Sequence, residues 1–285
     1  MSRFLEECME YIETLPFRII RLTEIHNGVS ETDEDVQGNP CQNTYSVAKA
    51  FTMTAVGLLY DKGLIRTEEK LCDILADELP ESGMDERWKD VTVDMLLRHR
   101  AGLPGGFLDI DTHKSSEFTE DYLKYTLTYP LAYTPDTEER YSDGAYYLLS
   151  CIVEKKSGLT LDNFLWKELL FRLGFQEMAW SHCPKGHAMG ATGLYISSED
   201  MAKLGLVYLN KGIFEGERVL SEEWCNTAVE RGYAFEWDES HTIYFKGGMC
   251  GQKLIIAPAQ NRVVALEAYG ANSNLIADFV RDYKD

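Results

Sequence analysis

Thr44-Tyr45-Ser46-Val47-Ala48-Lys49 stands at the head of an apolar stretch that continues to Lys62, where Gly63 follows. Apolar residues at this spacing predict one helix from Ser46 to Lys62, with Gly63 just beyond its end. Residues three apart share a helix face, so the amine of Lys49 can exchange a proton with the hydroxyl of Ser46. A serine is a weak nucleophile at neutral pH, and an adjacent base is the usual remedy. The stretch therefore predicts a nucleophilic serine at a helix N-terminus.

Two further polar elements stand at the starts of predicted secondary structure. Tyr141-Ser142-Asp143 precedes a helical pattern, and Lys246-Gly247-Gly248 enters a strand-like run. A tyrosine hydroxyl relays protons when nearby cations lower its pKa, although the tyrosine can equally be a packing aromatic. Two glycines in a strand indicate either a turn or bulge, or a close approach to the backbone, for example by a substrate.

Strand patterns lie at both ends of the chain and helical patterns lie in the middle. The terminal elements are predicted as a helix over 3–14, a strand over 17–25 before a turn at Asn27-Gly28, strand-like sequence over 244–268 and a helix over 273–283. The other helices are predicted over 93–99, 143–156, 160–173 and 198–209, the last with Ser198 as its cap. This order predicts an α/β domain formed by residues 1–45 and 185–285, with a helical domain over 46–184 inserted into it.

Composition limits the classes of partner. The chain has 285 residues, 45% of them hydrophobic, and a formal net charge of −19. So acidic a surface repels phosphate backbones and anionic lipids, which argues against nucleic acid and membranes as partners. No segment approaches the ~20 apolar residues that span a bilayer. The seven cysteines are odd in number and form no C-x-x-C, so we expect reduced thiols, no zinc site and, with no secretory signal at the start, a cytoplasmic protein.

The three polar elements, in this order, resemble the signature of a known family. Ser46-Val-Ala-Lys49, Tyr141-Ser-Asp143 and Lys246-Gly-Gly248 are similar to the Ser-x-x-Lys, Tyr-x-Asn and Lys-Thr-Gly elements of serine β-lactamases and penicillin-binding proteins, nearest the class C β-lactamase and esterase branch. The segments 91–104 and 193–203 also resemble this family. The resemblance extends over residues 40–270 and implies an α+β, β-lactamase/transpeptidase-like fold, in which N- and C-terminal helices flank an antiparallel sheet and a helical domain is inserted.

The resemblance implies a role for each matched position. Ser46 would attack a carbonyl and form an acyl-enzyme, while Lys49 and Tyr141 would share the role of general base. The neighbouring cation Lys246 and burial would lower the pKa of Lys49. The backbone N–H groups of Ser46 and Met249 would form the oxyanion hole, and the reaction would need neither a metal nor another cofactor.

Two positions depart from the family pattern. Asp143 stands where the family has asparagine, and Gly247 stands where it has threonine. An anionic Asp143 repels a substrate carboxylate, and Gly247 has no hydroxyl to bind one, so both changes argue against β-lactams and D-Ala-D-Ala peptides. They favour a neutral ester, or an amide with a cation nearby. Alternatively, Asp143 pairs with Lys49 or Lys246, is structural and raises the pKa of that lysine.

The predicted function is a serine hydrolase that cleaves a small ester or amide through acyl-Ser46. Two alternatives stay open: a β-lactamase or DD-peptidase proper, and a non-catalytic, penicillin-binding-like scaffold or sensor. His99 is expected to be a hydrogen-bonded structural residue, and His182 and His187 are expected in loops without metal-ligand partners. The pattern assigns no histidine to catalysis and leaves the oligomeric state open.

Overall fold

The computed structural model describes residues 1–114 and 117–284, and the chain divides into two compact units. One, called the sheet unit below, comprises Met1–Val47, Phe171–Ala179 and Leu194–Asp285. The other, the helical unit, comprises Ala48–Leu170 and Trp180–Gly193. The domain boundaries at 46 and 185 that we inferred from the sequence remain a prediction.

Helices and strands have the following bounds within the described residues. The helices are α1 (Arg3–Glu13), α2 (Ala48–Asp61), α3 (Leu71–Ile74), α4 (Val93–Leu97), α5 (Tyr122–Thr128), α6 (Asp143–Ser157), α7 (Leu161–Leu165), α8 (Ser198–Leu209), α9 (Glu222–Glu230) and α10 (Asn274–Asp282). The strands are β1 (Ile19–His26), β2 (Val29–Glu34), β3 (Gln42–Asn43), β4 (Ala179–Trp180), β5 (Leu194–Ile196), β6 (Ile213–Phe214), β7 (Glu217–Arg218), β8 (Glu236–Trp237), β9 (Tyr244–Gly247), β10 (Lys253–Ala257) and β11 (Arg262–Ala268).

The sheet unit is built on a six-stranded sheet in the order β2-β1-β11-β10-β9-β8, in which neighbouring strands are antiparallel. The predicted turn is confirmed, because Asn27 and Gly28 join β1 to β2 with φ angles of 51° and 80°. Positive φ at both central residues is the requirement of a type I′ hairpin turn. β1 also pairs with β11, so a C-terminal strand lies beside the N-terminal hairpin in the sheet.

Helices cover both faces of this sheet. Buried side chains of α1 and α10, among them Phe4, Leu5 and Val280, form one core cluster with Val264 and Leu266 of β11. On the other face, a Cβ on Gly205 of α8 would lie 2.5 Å from a methyl carbon of Val263, so α8 packs closely there. Because both faces are covered, every residue of β11 is buried, which explains the apolar run from Val263 to Leu266.

The helical unit is centred on α2 and α6, both of which are buried over most of their length. α6 ends at Gly158, whose φ of 73° allows the left-handed cap. The helix predicted over 160–173 differs from the structure: α7 ends at Leu165 and a π-helical turn spans Trp166–Leu170.

The predicted cap of α8 is also one residue out. Ser197, not Ser198, is the N-cap, since its side chain accepts a hydrogen bond from the backbone N–H of Asp200 at 3.1 Å. Ser198 already lies inside the helix, and its hydroxyl lies 2.8 Å from that of Thr23 in β1. An extended residue with a free side-chain acceptor makes the better cap, and Ser197 has that conformation.

Candidate functional site

Ser46 lies in a short 3-10 turn, Tyr45–Val47, directly before α2. The side-chain oxygen of Asn43 accepts a hydrogen bond from the backbone N–H of Tyr45 at 2.9 Å, and the carbonyl of Thr44 accepts one from Val47. Tyr45 has a φ of 46°, in a region that bulky side chains seldom adopt. The turn thus holds a strained residue immediately before the candidate nucleophile, as functional sites often do.

The surroundings of Gly248 explain why the third polar element has a glycine at this position. A Cβ at Gly248 would lie 2.4 Å from the carbonyl oxygen of Thr44 and 3.3 Å from the backbone nitrogen of Ser46. Of the two readings of the glycine pair, a close approach therefore holds here, and the neighbour is the backbone before Ser46. Gly247 is under no such constraint, because a Cβ there would meet only the Cε of Lys253 at 3.6 Å.

Residues after Gly248 form a tight turn within the sheet unit. The N–H of Gly248 donates to the carbonyl of Gln252 at 2.8 Å, and Met249, which is 40% exposed, begins a 3-10 turn that ends at Gly251. Lys246 on β9 is 3% exposed, and its Nζ lies 3.3 Å from a carboxylate oxygen of Glu236. The sheet unit thus contains Ser46, Lys246, Gly247, Gly248 and Met249.

Lys49 lies in the first turn of α2 and is fully buried. Its Nζ donates to the Asp143 carboxylate at 2.7 Å and to the carbonyl oxygen of Ala191 at 3.0 Å. The same Nζ lies 4.6 Å from the centre of the Tyr141 ring. The helical unit thus brings three of the predicted site residues together, Lys49 on α2 with Tyr141 and Asp143 at the start of α6.

This arrangement corrects the expected charge behaviour of Lys49. Burial alone lowers the pKa of the lysine, but the Asp143 carboxylate and the Tyr141 phenol outweigh it and raise the pKa above its ordinary value. The expectation that burial and Lys246 lower the pKa of Lys49 is therefore wrong. The alternative, in which Asp143 pairs with Lys49 and raises its pKa, is confirmed.

Tyr141 is 43% exposed and lies just before α6. Its carbonyl oxygen accepts a hydrogen bond from the N–H of Gly106 at 2.9 Å. Its ring centre lies 4.4 Å from that of His99. The buried ammonium of Lys49 thus lies over the ring of the partly exposed Tyr141, where the ring quadrupole attracts a cation.

Sequence reasoning missed two aspartates beside this cluster. Carboxylate oxygens of Asp109, Asp111 and Asp143 lie within 4.8 Å of one another. The hydroxyl of Thr192 donates to Asp111, and burial raises the pKa of the Asp111 carboxyl. The only sequence signal was an Asp-x-Asp directly after a glycine-rich loop, which is too common to be specific.

The structure confirms the expectation for His99 and places a carboxylate beside each of His182 and His187. His99 is a buried, hydrogen-bonded residue, since its Nδ1 accepts a hydrogen bond from the backbone N–H of Ser142 at 3.2 Å. His182 lies 3.4 Å from a carboxylate oxygen of Asp162, and His187 lies 2.8 Å from one of Glu154.

Comparison with known proteins shows which family the chain belongs to. The sequence profile of the Beta-lactamase family matches residues 27–277, most of the chain. The chain belongs to the beta-lactamase family. Members of this family are typically hydrolases or penicillin-binding proteins, and the α+β fold of this member has the helices and antiparallel sheet of the beta-lactamase/transpeptidase type.

Relatives of this beta-lactamase-family chain carry several names. It is 25% identical to an N-acetylmuramyl-L-alanine amidase of Bacillus subtilis (strain 168), over 75% of this chain and 64% of the relative. It is 30% identical to penicillin-binding protein 4 of Amycolatopsis lactamdurans, over 79% of this chain and 71% of the relative. Its fold is similar to that of a penicillin-binding protein homologue from Caulobacter crescentus, with a TM-score of 0.74 at 13% identity, covering 95% of this chain and 93% of that one. The chain thus spans under two thirds of the length of the Bacillus relative.

Two further findings concern the helices and the cysteines of this family member. Within residues 1–114 and 117–284, no helix is both long and apolar enough to cross a membrane. All seven cysteines fall in these ranges, and each is a free thiol.

Proposed function

We propose that this chain is a serine hydrolase that cleaves a small ester or amide through an acyl-Ser46 intermediate. The observation that carries the proposal is the buried Lys49–Asp143 pair beside the Tyr141 ring. A half-exposed phenol next to a fixed ammonium is suited to take a proton, because the cation stabilises the phenolate. Membership in the beta-lactamase family supports the same chemistry.

The roles differ in one respect from those that the family resemblance implies. Because Asp143 raises the pKa of Lys49, the lysine acts as a permanent cation, and Tyr141 alone takes the proton from Ser46. Tyr141 then returns this proton to the departing alcohol or amine of the substrate, becomes a phenolate again and takes a proton from the water that releases the acyl group. The backbone N–H groups of Ser46 and Met249 hold the developing oxyanion, and each such donor is typically worth about 3 kcal/mol in the transition state.

The substrate class follows from charge. Asp109, Asp111 and Asp143 give the surroundings of Tyr141 an excess of carboxylates over ammonium groups. We infer a substrate that is neutral or carries a positive charge, rather than a carboxylate of the β-lactam type. The net charge of −19 supports a small-molecule partner rather than nucleic acid or a membrane, and the seven free thiols support a cytoplasmic location.

A fluorophosphonate probe tests the proposal directly. Mass spectrometry of the wild-type protein should find one covalent adduct, on Ser46, and Ser46→Ala should abolish both the adduct and the hydrolysis of p-nitrophenyl esters. Ser240→Ala, which removes an exposed serine hydroxyl, is the matched control and should keep both. Folded wild-type protein that is not labelled at Ser46 contradicts the proposal.

A second candidate is a binding protein without turnover, favoured by the ion pair that prevents Lys49 from acting as a base. It predicts that penicillin or the probe reacts once, or not at all, and that no ester is turned over. Turnover of nitrocefin at rates above those for p-nitrophenyl esters would instead identify a β-lactamase proper. The three outcomes separate the candidates in one set of assays.

A further inference from the structure

The loop after α4 holds the segment that carries Tyr141 through backbone groups on three successive residues. The N–H of Arg140 donates to the carbonyl of His99 at 2.8 Å, and the N–H of Ser142 donates to the His99 ring at 3.2 Å. Between them, the carbonyl of Tyr141 accepts from Gly106 at 2.9 Å. His99 supplies two of the three contacts, one from its backbone and one from its side chain.

His99 has a conformation suited to this double contact. Its φ is 55°, in the left-handed region where asparagine, aspartate and histidine are the favoured residues after glycine. This conformation lets the carbonyl face Arg140 while the ring reaches Ser142. The Nδ1 atom accepts a hydrogen bond there, so it carries no proton in this arrangement.

Packing alone does not account for a histidine at this position. Ser142 is 1% exposed and is the N-cap of α6, and its own side chain makes no capping hydrogen bond. A buried N–H without an acceptor costs about 1–3 kcal/mol. Another aromatic residue could pack against Tyr141 and Tyr146, as the tilted His99 ring does at 4.4 and 5.0 Å between centres, but it would leave that N–H without an acceptor.

We propose that His99 is a positioning residue that aims the Tyr141 phenol. It fixes the backbone on either side of Tyr141, and this holds the ring at 4.6 Å from the Lys49 ammonium. The proposal rests on the proposed function, in which Tyr141 takes the proton from Ser46. A base displaced by about 1 Å loses on the order of 10²-fold in rate, so the effect appears in the acylation rate more than in binding.

Two substitutions separate the acceptor from the backbone conformation. His99→Asn keeps a side-chain acceptor and tolerates positive φ, whereas His99→Gly tolerates positive φ but has no acceptor. We expect His99→Asn to keep the rate constant for acylation by a fluorophosphonate within about threefold, and His99→Gly to lose on the order of 10²-fold at unchanged KM for p-nitrophenyl esters. His99→Asn alone decides the matter if the glycine variant does not fold: a folded asparagine variant that loses on the order of 10²-fold overturns the proposal.

Amide hydrogen exchange measures how firmly the His99 contacts hold residues 140–143, and it needs no chemical reaction. The peptide that contains Arg140–Asp143 should exchange at the wild-type rate in His99→Asn and faster in His99→Gly, with α2 unchanged in both. Equal protection in all three proteins overturns the positioning role, whether or not the enzyme reacts. If wild-type Ser46 is not labelled but this exchange pattern is observed, the proposed function fails. The inference that His99 positions the segment of Tyr141 is then still supported.

Discussion

Lys49 of the helical unit and Lys253 of the sheet unit are both buried but differ in the charges around them. Lys49 in the helical unit donates to the Asp143 carboxylate, and its pKa is raised. Lys253 on β10 of the sheet unit is also buried, but among the described residues no carboxylate forms an ion pair with it; its Nζ contacts the side-chain oxygen of Asn274 at 2.5 Å and the ring of Phe245. Burial lowers the pKa of Lys253 to about 8.

The difference shows that burial by itself does not make a lysine a base. Removal from water disfavours the ammonium in both places, and at Lys49 the Asp143 carboxylate together with the Tyr141 phenol reverses the outcome. By pKa alone, Lys253 looks more like a general base than Lys49 does. Lys49 is therefore better described as a fixed positive charge beside Tyr141.

Removal of the Lys49 charge should have the largest effect. Lys49→Met leaves the Asp143 carboxylate buried without its cation, so the free energy of unfolding should fall by about 3–5 kcal/mol. Urea unfolding at pH 7 measures this change in the free energy of unfolding. Acylation of Ser46 should also be lost.

Lys62→Met is the matched control for this prediction. Lys62 pairs with Glu168 at 2.8 Å but is partly exposed, so its loss should cost less than about 1 kcal/mol. Equal losses in the two variants would show that the Lys49 pair behaves as a surface pair.

A buried carboxylate in the sheet unit extends the comparison to acids. Glu267 on β11 is buried, its carboxylate oxygens have no hydrogen-bond partner among the described side chains, and burial raises its pKa to about 8. Between the unfolded pKa near 4.3 and about 8, the folded state binds more protons, so stability falls as pH rises. Because of this group, the free energy of unfolding of the wild type should fall by about 3–4 kcal/mol between pH 5 and 8. In Glu267→Gln this pH dependence should be absent.

Urea unfolding at pH 5, 6.5 and 8 tests the prediction. Glu230→Gln, at an exposed position of α9, should keep the wild-type pH dependence. A Glu267→Gln variant that destabilises the protein equally at every pH would show that the carboxyl does not titrate in this range.

Lys253 should show the opposite sign. Its folded pKa of about 8 lies below the unfolded value, so the unfolded state binds more protons between pH 8 and 10.5, and stability rises with pH across that window. Lys253→Met removes the buried ammonium and should stabilise the protein by about 3 kcal/mol at pH 7. The rise above pH 8 should disappear.

Thermal or urea unfolding at pH 7, 9 and 10 measures both effects. Lys284→Met, at an exposed position, controls for the loss of one positive charge. A loss of stability at pH 7 in Lys253→Met alone would mean that the ammonium contributes more through Asn274 and Phe245 than burial takes away.

The double variant Lys49→Met with Asp143→Leu should have the smallest effect on stability. Replacement of both partners of a buried pair by apolar residues is often neutral for stability. The free energy of unfolding should therefore change by no more than about 1 kcal/mol. Acylation should stay absent. A double variant as unstable as Lys49→Met would show that the pair stabilises the α2–α6 contact by more than charge neutralisation.

Short-range patterns predicted much of this molecule. The Asn27-Gly28 turn and the strand patterns at the two ends of the chain depend on neighbours in sequence, and both were correct. The charge of Lys49 depends on Asp143, which lies 94 positions away, so the sequence left it as one of two alternatives. Asp109 and Asp111 were not predicted as neighbours of the site, because a loop has no periodicity from which a partner can be inferred.

Gly247 and Gly248 show the same limit over a longer separation in sequence. Their residue type predicted a close approach or a bulge, but not which of the two glycines needed the space. The neighbour of Gly248 is the carbonyl of Thr44, a contact between segments about 200 positions apart. Such contacts depend on the register of β9 and on the turn before Ser46, which single-sequence patterns do not determine.

The pairing of β1 with β11 has a consequence for synthesis. On the ribosome, the hairpin of β1 and β2 emerges more than 200 residues before the strand that lies beside it in the native sheet. Throughout that interval β1 presents an open edge with apolar residues, which is a template for pairing with other chains. We therefore expect nascent chains that stall before residue 262 to depend on chaperones, whereas the completed polypeptide does not.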